Sequence, residues 1–209
     1  TITAVKDGNG QVTHYVAVLR DITERKRLEQ KVNHLAFFDS LTQLPNRRLF
    51  NDRLGQAVKR AQRTSSSLAL MFVDLDKFKP VNDTYGHAAG DFMLQTVAKR
   101  LSGCLRASDT AARVGGDEFL VLLPDIPSGA DALAVAEKIR SALAEPCISP
   151  EGIELCISAS IGIAIYPEHA GSAHELLRLG DRAMYEAKSA GGNRVKLFSP
   201  EDGAGHSAA

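Results

Sequence analysis

The sequence carries no net charge, since 25 Lys plus Arg balance 25 Asp plus Glu over 209 residues. It therefore has no basic field with which to recruit nucleic acid and no acidic tail, and a polyanionic ligand has to be held locally, by a metal and a few placed cations. Cysteine is scarce. Cys104, Cys147 and Cys156 are odd in number and lack metal-ligand spacing with histidine, which argues against a disulfide framework and for reduced, partly buried thiols in a cytoplasmic domain. Long apolar runs are missing too: none approaches the roughly 20 residues of a membrane-crossing helix, and the N-terminus lacks a signal-peptide pattern. No membrane contact is expected of this portion, and an anchor upstream in a longer parent chain stays compatible with it. The length suits one sizeable domain plus a piece of another.

What is present is organised around Arg113-Val-Gly-Gly-Asp-Glu-Phe-Leu-Val-Leu-Leu123, two apolar arms separated by Gly115-Gly116 and followed by two carboxylates. A glycine pair reaches the positive backbone angles of a tight hairpin and lets a large ligand approach the backbone. Asp117 and Glu118 then stand at the mouth of the hairpin, on opposite faces of the strand. A solvated Gly-Gly turn with acidic neighbours is the plain alternative. A second acidic strand end counters it: Leu68-Ala-Leu-Met-Phe-Val-Asp-Leu-Asp76 is an uninterrupted apolar run, a strand buried on both faces, with Asp74 and Asp76 where it emerges. Carboxylates on two strand ends can converge on a divalent ion.

Along the chain, Thr1 to Lys6 and Val12 to Leu19 alternate as strands around the turn signal Asp7-Gly-Asn-Gly10. Asp21 and Glu24 have the form of a capping box opening a helix in which Leu28, Val32 and Leu35 make a short stripe. That stripe suits either a parallel coiled coil or an amphipathic linker lying on its own domain. Asn46 caps a helix running to about Arg63; Tyr85 to Gly90 reads as a loop; Asp91 to Leu105 has helical spacing. Pro124 and Pro127 close the second hairpin arm, Ala130 to Ala144 is a helix, Leu155 to Ile165 a strand, Ser172 to Ala190 a helix and Val195 to Phe198 a last strand. The architecture expected is mixed α+β, a central sheet covered by helices.

Asp21-Ile-Thr-Glu-Arg-Lys26 and the hairpin before it resemble the closing hairpin of a PAS sensor domain running into its exit helix. Asp39 to Arg48, Asp74 to Asp91, Gly115 to Phe119, Ser160-Ile-Gly-Ile-Ala164 and Asp181 to Asn193 resemble, in order and in spacing, the successive motifs of the GGDEF diguanylate cyclase family. The organisation implied is a truncated PAS-like end over 1–22, a signalling helix over 23–38, the cyclase domain over 39–198 and a flexible tail over 199–209. The fold implied is a mostly antiparallel sheet similar to nucleotidyl cyclase and polymerase palm domains. The reaction implied is condensation of two GTP to cyclic di-GMP and two pyrophosphates, in a bacterial cytoplasm.

By that resemblance, Asp74 and Asp117 hold Mg2+, with Mn2+ as an alternative ion, Leu75 offers a backbone carbonyl, and Glu118 is needed for catalysis. Asn82 and Asp91 take the guanine-reading positions; an amide and a carboxylate suit guanine, whose O6 accepts while N1 and N2 donate. As helix caps the same two residues would be ordinary. Gly115 and Gly116 leave room for the substrate, while Lys188 matches a phosphate-contacting lysine and Lys79 assists it. Four residues on, many members have arginine where this chain has Gly192, so one phosphate contact is missing unless Arg194 supplies it. Arg106 and Asp109 match the family's inhibitory product site, which binds cyclic di-GMP; as a surface i,i+3 pair they would be unremarkable. A two-fold symmetric product implies a homodimer with one GTP on each domain. The competing function is a GTP- or cyclic di-GMP-binding regulatory module without turnover.

Overall fold

The computed structural model describes residues 2–17, 21–24 and 35–200. The chain divides into two compact units, Thr1–Ala36 and Phe37–Ala209. In the first, β1 (Ile2–Lys6) and β2 (Val12–Ala17) pair antiparallel. The turn between them closes through the Gly10 amide on the Asp7 carbonyl at 3.0 Å. The Asp21 carboxylate accepts from the Thr23 amide at 2.8 Å, a helix-opening contact. Leu28 and Val32 of the expected stripe lie outside the described residues, and Leu35 is exposed.

The second unit is built on β3 (Ser67–Asp76), β4 (Thr110–Gly115), β5 (Glu118–Ile126), β8 (Ser158–Tyr166) and β9 (Arg194–Leu197), in the spatial order β4-β5-β3-β8-β9. All neighbours are antiparallel except β8 and β9. A two-stranded ribbon, β6 (Cys147–Ile148) with β7 (Glu154–Leu155), stands apart from the sheet. Central β3 is buried on both faces from Leu68 to Leu75, as its continuous apolar run predicts.

Side-chain alternation along β3 sorts its residues between two cores. Ala69, Met71, Val73 and Leu75 pack with Val81, Met93, Val97 and Ile139 of α2 (Phe78–Tyr85), α3 (His87–Cys104) and α4 (Gly129–Ala144). Leu68, Leu70 and Phe72 face Phe50 and Leu54 of α1 (Arg47–Thr64) and Leu176 and Ala183 of α5 (Ala173–Ser189). Asp74 and Asp76 continue the second series and so emerge on the α1/α5 side of the sheet.

Caps follow the sequence where it offers them. Asn46 accepts from the Arg48 and Leu49 amides to open α1, and Ser172 accepts from the Glu175 amide to open α5. Helix α5 lies hard against β8, because a Cβ on Gly162 would fall 2.0 Å from the Met184 backbone nitrogen and 2.3 Å from the Gly180 oxygen. Only glycine permits that approach. It fixes the height of α5 and hence of Lys188, eight residues past Gly180, about 12 Å along the helix.

Three local expectations change. Helix α3 begins at His87, so the Tyr85–Gly90 loop shrinks to Gly86, whose φ of +81° redirects the chain in a single residue. Strand β5 runs through Pro124 to Ile126 rather than closing there. Pro124 lies beyond the last β4 partner, Leu122, and opposite an irregularity in β3, so its missing N–H interrupts little. The strand expected from Leu155 to Ile165 is two: Leu155 pairs with Cys147, and from Ser158 the chain pairs with Asp76 of β3 instead.

Candidate active site

One end of the sheet gathers the acidic residues. In the antiparallel register Asp74 stands opposite Glu118 on β5, and the Leu75 amide donates to the Asp117 carbonyl at 3.3 Å. The hairpin turn is Gly116-Asp117, one residue later than the glycine pair suggests. Gly115 and Gly116 both have positive φ, +152° and +50°. Asp117 therefore belongs to the turn rather than to a face of β5, and Glu118 opens the strand, half exposed.

Asp74 is buried, 7 % exposed, and its carboxylate accepts from the Lys188 ammonium at 2.7 Å. Burial pushes its pKa up; the charges of Asp117 and Asp76 add to that, and Lys188 opposes it. The hydrogen bond to Asp74 holds Lys188 above the usual lysine range and protonated. The Asp76 carboxylate, two residues on, accepts from the Ser158 and Ser160 hydroxyls, each at 2.7 Å, and from the Asn193 amide at 2.8 Å. It ties β3 to β8 and to the loop after α5.

The Asp39 segment is fastened to the glycine turn. Its Oδ1 accepts from the Thr42 amide and hydroxyl at 2.8 and 2.6 Å, and both carboxylate oxygens accept from Arg113 at 3.2 and 3.3 Å. The same guanidinium donates to the Gly116 carbonyl at 2.8 and 3.0 Å. Arg47, on α1, approaches Glu118 at 3.8 Å, an exposed pair of little energetic weight. Arg113 and Asp39 were inside the sequence motifs without an assigned role. The Asp-x-x-Thr spacing, which favours a side-chain turn, was the available signal for one partner.

The remaining residues singled out by the sequence fall around this end or away from it. Asn82 is half buried in the last turn of α2, its side-chain oxygen against Gly90 so closely that a Cβ there would lie 1.9 Å from it. Asp91 is exposed in the second turn of α3, and neither residue caps its helix. Lys79 is exposed on α2. Arg106 and Asp109 close a turn before β4, the Arg106 amide donating to the Asp109 carboxylate at 2.8 Å and the Asp109 amide to the Arg106 carbonyl at 3.0 Å. Both line a small depression with Pro124, Asp125 and Asp131, at the opposite end of β4 from Gly116. Gly192 has φ of +72°, and a Cβ there would meet Asp76 at 2.9 Å.

Among the described residues no group of three or more His, Cys, Asp or Glu side chains gathers closely enough to cage a metal alone. Two carboxylates and a carbonyl instead suit a hard divalent cation that takes its other ligands from water and phosphate. The mutual repulsion felt at buried Asp74 is what such a cation would relieve. Among the described residues no helix is long and apolar enough to cross a membrane.

A mostly antiparallel sheet, helix-covered on both faces and acidic at one end, is the architecture of nucleotidyl cyclase and polymerase palm domains. The family model described as "Diguanylate cyclase, GGDEF domain" matches residues 36–194, and the chain belongs to that family. It is 49 % identical over 155 residues to diguanylate cyclase TpbB of Pseudomonas aeruginosa, covering 74 % of this chain and 36 % of that protein. The chain thus spans about a third of that curated relative's length. Among solved structures, the GGDEF domain of TpbB superposes with a TM-score of 0.77 at 46 % identity, over 79 % of this chain and 96 % of that one. The coiled coil and GGDEF domain of DgcB from Caulobacter crescentus, solved in complex with c-di-GMP, gives 0.75 at 32 % identity, over 83 % and 91 %.

Proposed function

We propose that the 39–198 domain is a working diguanylate cyclase, condensing two GTP into cyclic di-GMP and two pyrophosphates in a bacterial cytoplasm. The observation that carries this is the register of β3 against β5, which sets Asp74 opposite Glu118 and bonds Leu75 to the turn carrying Asp117. Asp74 and Asp117 with the Leu75 carbonyl would hold Mg2+ or Mn2+, which supplies charge neutralisation of the triphosphate and a lowered pKa for the ribose 3'-hydroxyl. The triphosphate lies over Gly115 and Gly116, where no Cβ obstructs it, with Lys188 and Lys79 on its phosphates. Asn82 and Asp91 read the guanine edge; a site built for those donors and acceptors leaves adenine mismatched.

Each 3'-hydroxyl gives up its proton to solvent and attacks the α-phosphorus of the other GTP, the bond to the bridging oxygen breaks, and pyrophosphate leaves. Glu118 is the further carboxylate required. One site presents one GTP, so a homodimer completes the ring. The signalling segment over 23–38 would bring two domains together at the command of a PAS-like segment over 1–22. Cyclic di-GMP returns to Arg106 and Asp109, where arginine forks onto the product and the aspartate accepts from guanine.

Incubation of the protein with GTP and Mg2+ should yield cyclic di-GMP and pyrophosphate, and Glu118→Ala should lower the rate at least about 100-fold, as loss of a reacting-site group does. Nucleotide binding without product would instead favour a regulatory module, for which the missing side chain at Gly192 speaks.

A further inference from the structure

Two carboxylates emerge on the same face of β3, two residues apart, and they are satisfied in opposite ways. Asp76 accepts three neutral donors, two serine hydroxyls on the neighbouring strand and a backbone amide, all on fixed frameworks. Asp74 is the more deeply buried, yet among the described residues its one ion-pair partner is the ammonium of Lys188. That ammonium ends a flexible stem whose side chain is 46 % exposed. The backbone beneath it is held: the Gly192 amide bonds the Ala187 carbonyl at 3.2 Å and the Asn193 amide bonds Asp76 at 2.8 Å. Only the lysine side chain is free to change partners.

We propose that Lys188 is an exchangeable counter-ion: without a metal it neutralises Asp74, and a divalent cation arriving at that carboxylate drives it off. This rests on the metal and phosphate roles proposed above. An ammonium and a divalent cation drawn to the same carboxylate repel each other at close range, so the two compete for Asp74. A nucleotide removes the competition, because its phosphates offer Lys188 a new anion while bringing further ligands to the cation. One side chain thus opposes metal alone and favours metal with nucleotide. Asp74 stays paired until metal and nucleotide arrive, and the site loads both components together.

The test separates those two actions. Mn2+ binding is followed by electron paramagnetic resonance without nucleotide, and binding of a non-hydrolysable GTP analogue is measured with Mn2+ present. Lys188→Met should bind Mn2+ alone about tenfold more tightly, from relief of one nearby positive charge, and bind the analogue at least about tenfold more weakly. Lys188→Arg, which keeps the charge, should not gain affinity for Mn2+ alone, and Asp74→Asn should abolish the gain in the Lys188→Met background. Should Lys188→Met be poorly folded by circular dichroism, Lys188→Gln replaces it with the same expectation. Unchanged Mn2+ affinity with weakened analogue binding would overturn the exchange and leave the cyclase site standing. Failure of every protein to bind Mn2+ or analogue in an Asp74-dependent way would overturn both.

Discussion

Arg113–Asp39 and Lys188–Asp74 are both cation–carboxylate pairs within one domain, and their surroundings differ. The side chain of Arg113 is 13 % exposed, and its guanidinium spans two fixed anchors, the Asp39 carboxylate and the Gly116 carbonyl. The side chain of Lys188 is 46 % exposed and its ammonium reaches one. A rigid fork shared between two segments is suited to holding a turn in place; a point charge on a long stem is suited to being moved. The first pair serves the shape of the acidic turn, and the second serves its occupancy.

The comparison is broken most severely by disturbing what sets the height of α5. Gly162→Ala would drive a methyl into the α5 backbone, and a destabilisation of about 3 kcal/mol is expected from such overpacking, read as a lower urea midpoint. Next comes Arg113→Ala, expected to cost about 2 kcal/mol because it strips charged hydrogen bonds from a half-buried carboxylate and a turn carbonyl. Lys188→Ala should cost about 1 kcal/mol, less than Arg113→Ala, since the half-exposed lysine reaches one anchor and Asp74, its pKa already pushed up, can take a proton in its place. Equal losses from the two would erase the distinction.

Acid separates the pairs further. At Asp39 burial pushes the carboxyl up, but the Thr42 and Arg113 hydrogen bonds and the Arg113 charge together bring it below the ordinary range. A depressed carboxylate stabilises the fold above the unfolded pKa, about 3.9, and that stability disappears as pH falls through its lower folded value. Asp74 is shifted the other way, so lowering the pH relieves it rather than costing stability. Urea unfolding between pH 7 and 3 should show a steeper acid loss in the unmodified protein than in Arg113→Ala; parallel curves would contradict it.

The smallest structural effect belongs to the turn away from both pairs. Arg106→Ala keeps the backbone bonds to Asp109, so stability should change by less than about 0.5 kcal/mol, as at most surface positions. Inhibition of the cyclase by added cyclic di-GMP should be relieved; undiminished inhibition would place the product elsewhere.

Much of this was legible in the sequence because it is local. The continuous apolar run of β3 announced burial on both faces, Asn46 and Ser172 announced helix starts, and the ordered motifs announced an acidic site before any strand was paired. Where local chemistry was ambiguous the reading slipped: a single Gly86 did the work assigned to six loop residues, and Asp117 moved from strand to turn. The fastening of Asp39 to Arg113 joins residues 74 apart in the chain, and the Asp76 bonds to Ser158, Ser160 and Asn193 join residues 82, 84 and 117 apart. No periodicity encodes such pairs.

By itself, then, the order of residues determined which segments are strands and helices and which side chains carry charge beside glycine, since propensity, alternation and capping act over a few positions. Only the folded sheet decided that Asp74 is served by a movable ammonium and Asp76 by fixed hydroxyls. That choice depends on which strand lies alongside β3 and on how closely α5 settles over Gly162, and both are consequences of packing between distant parts of the chain.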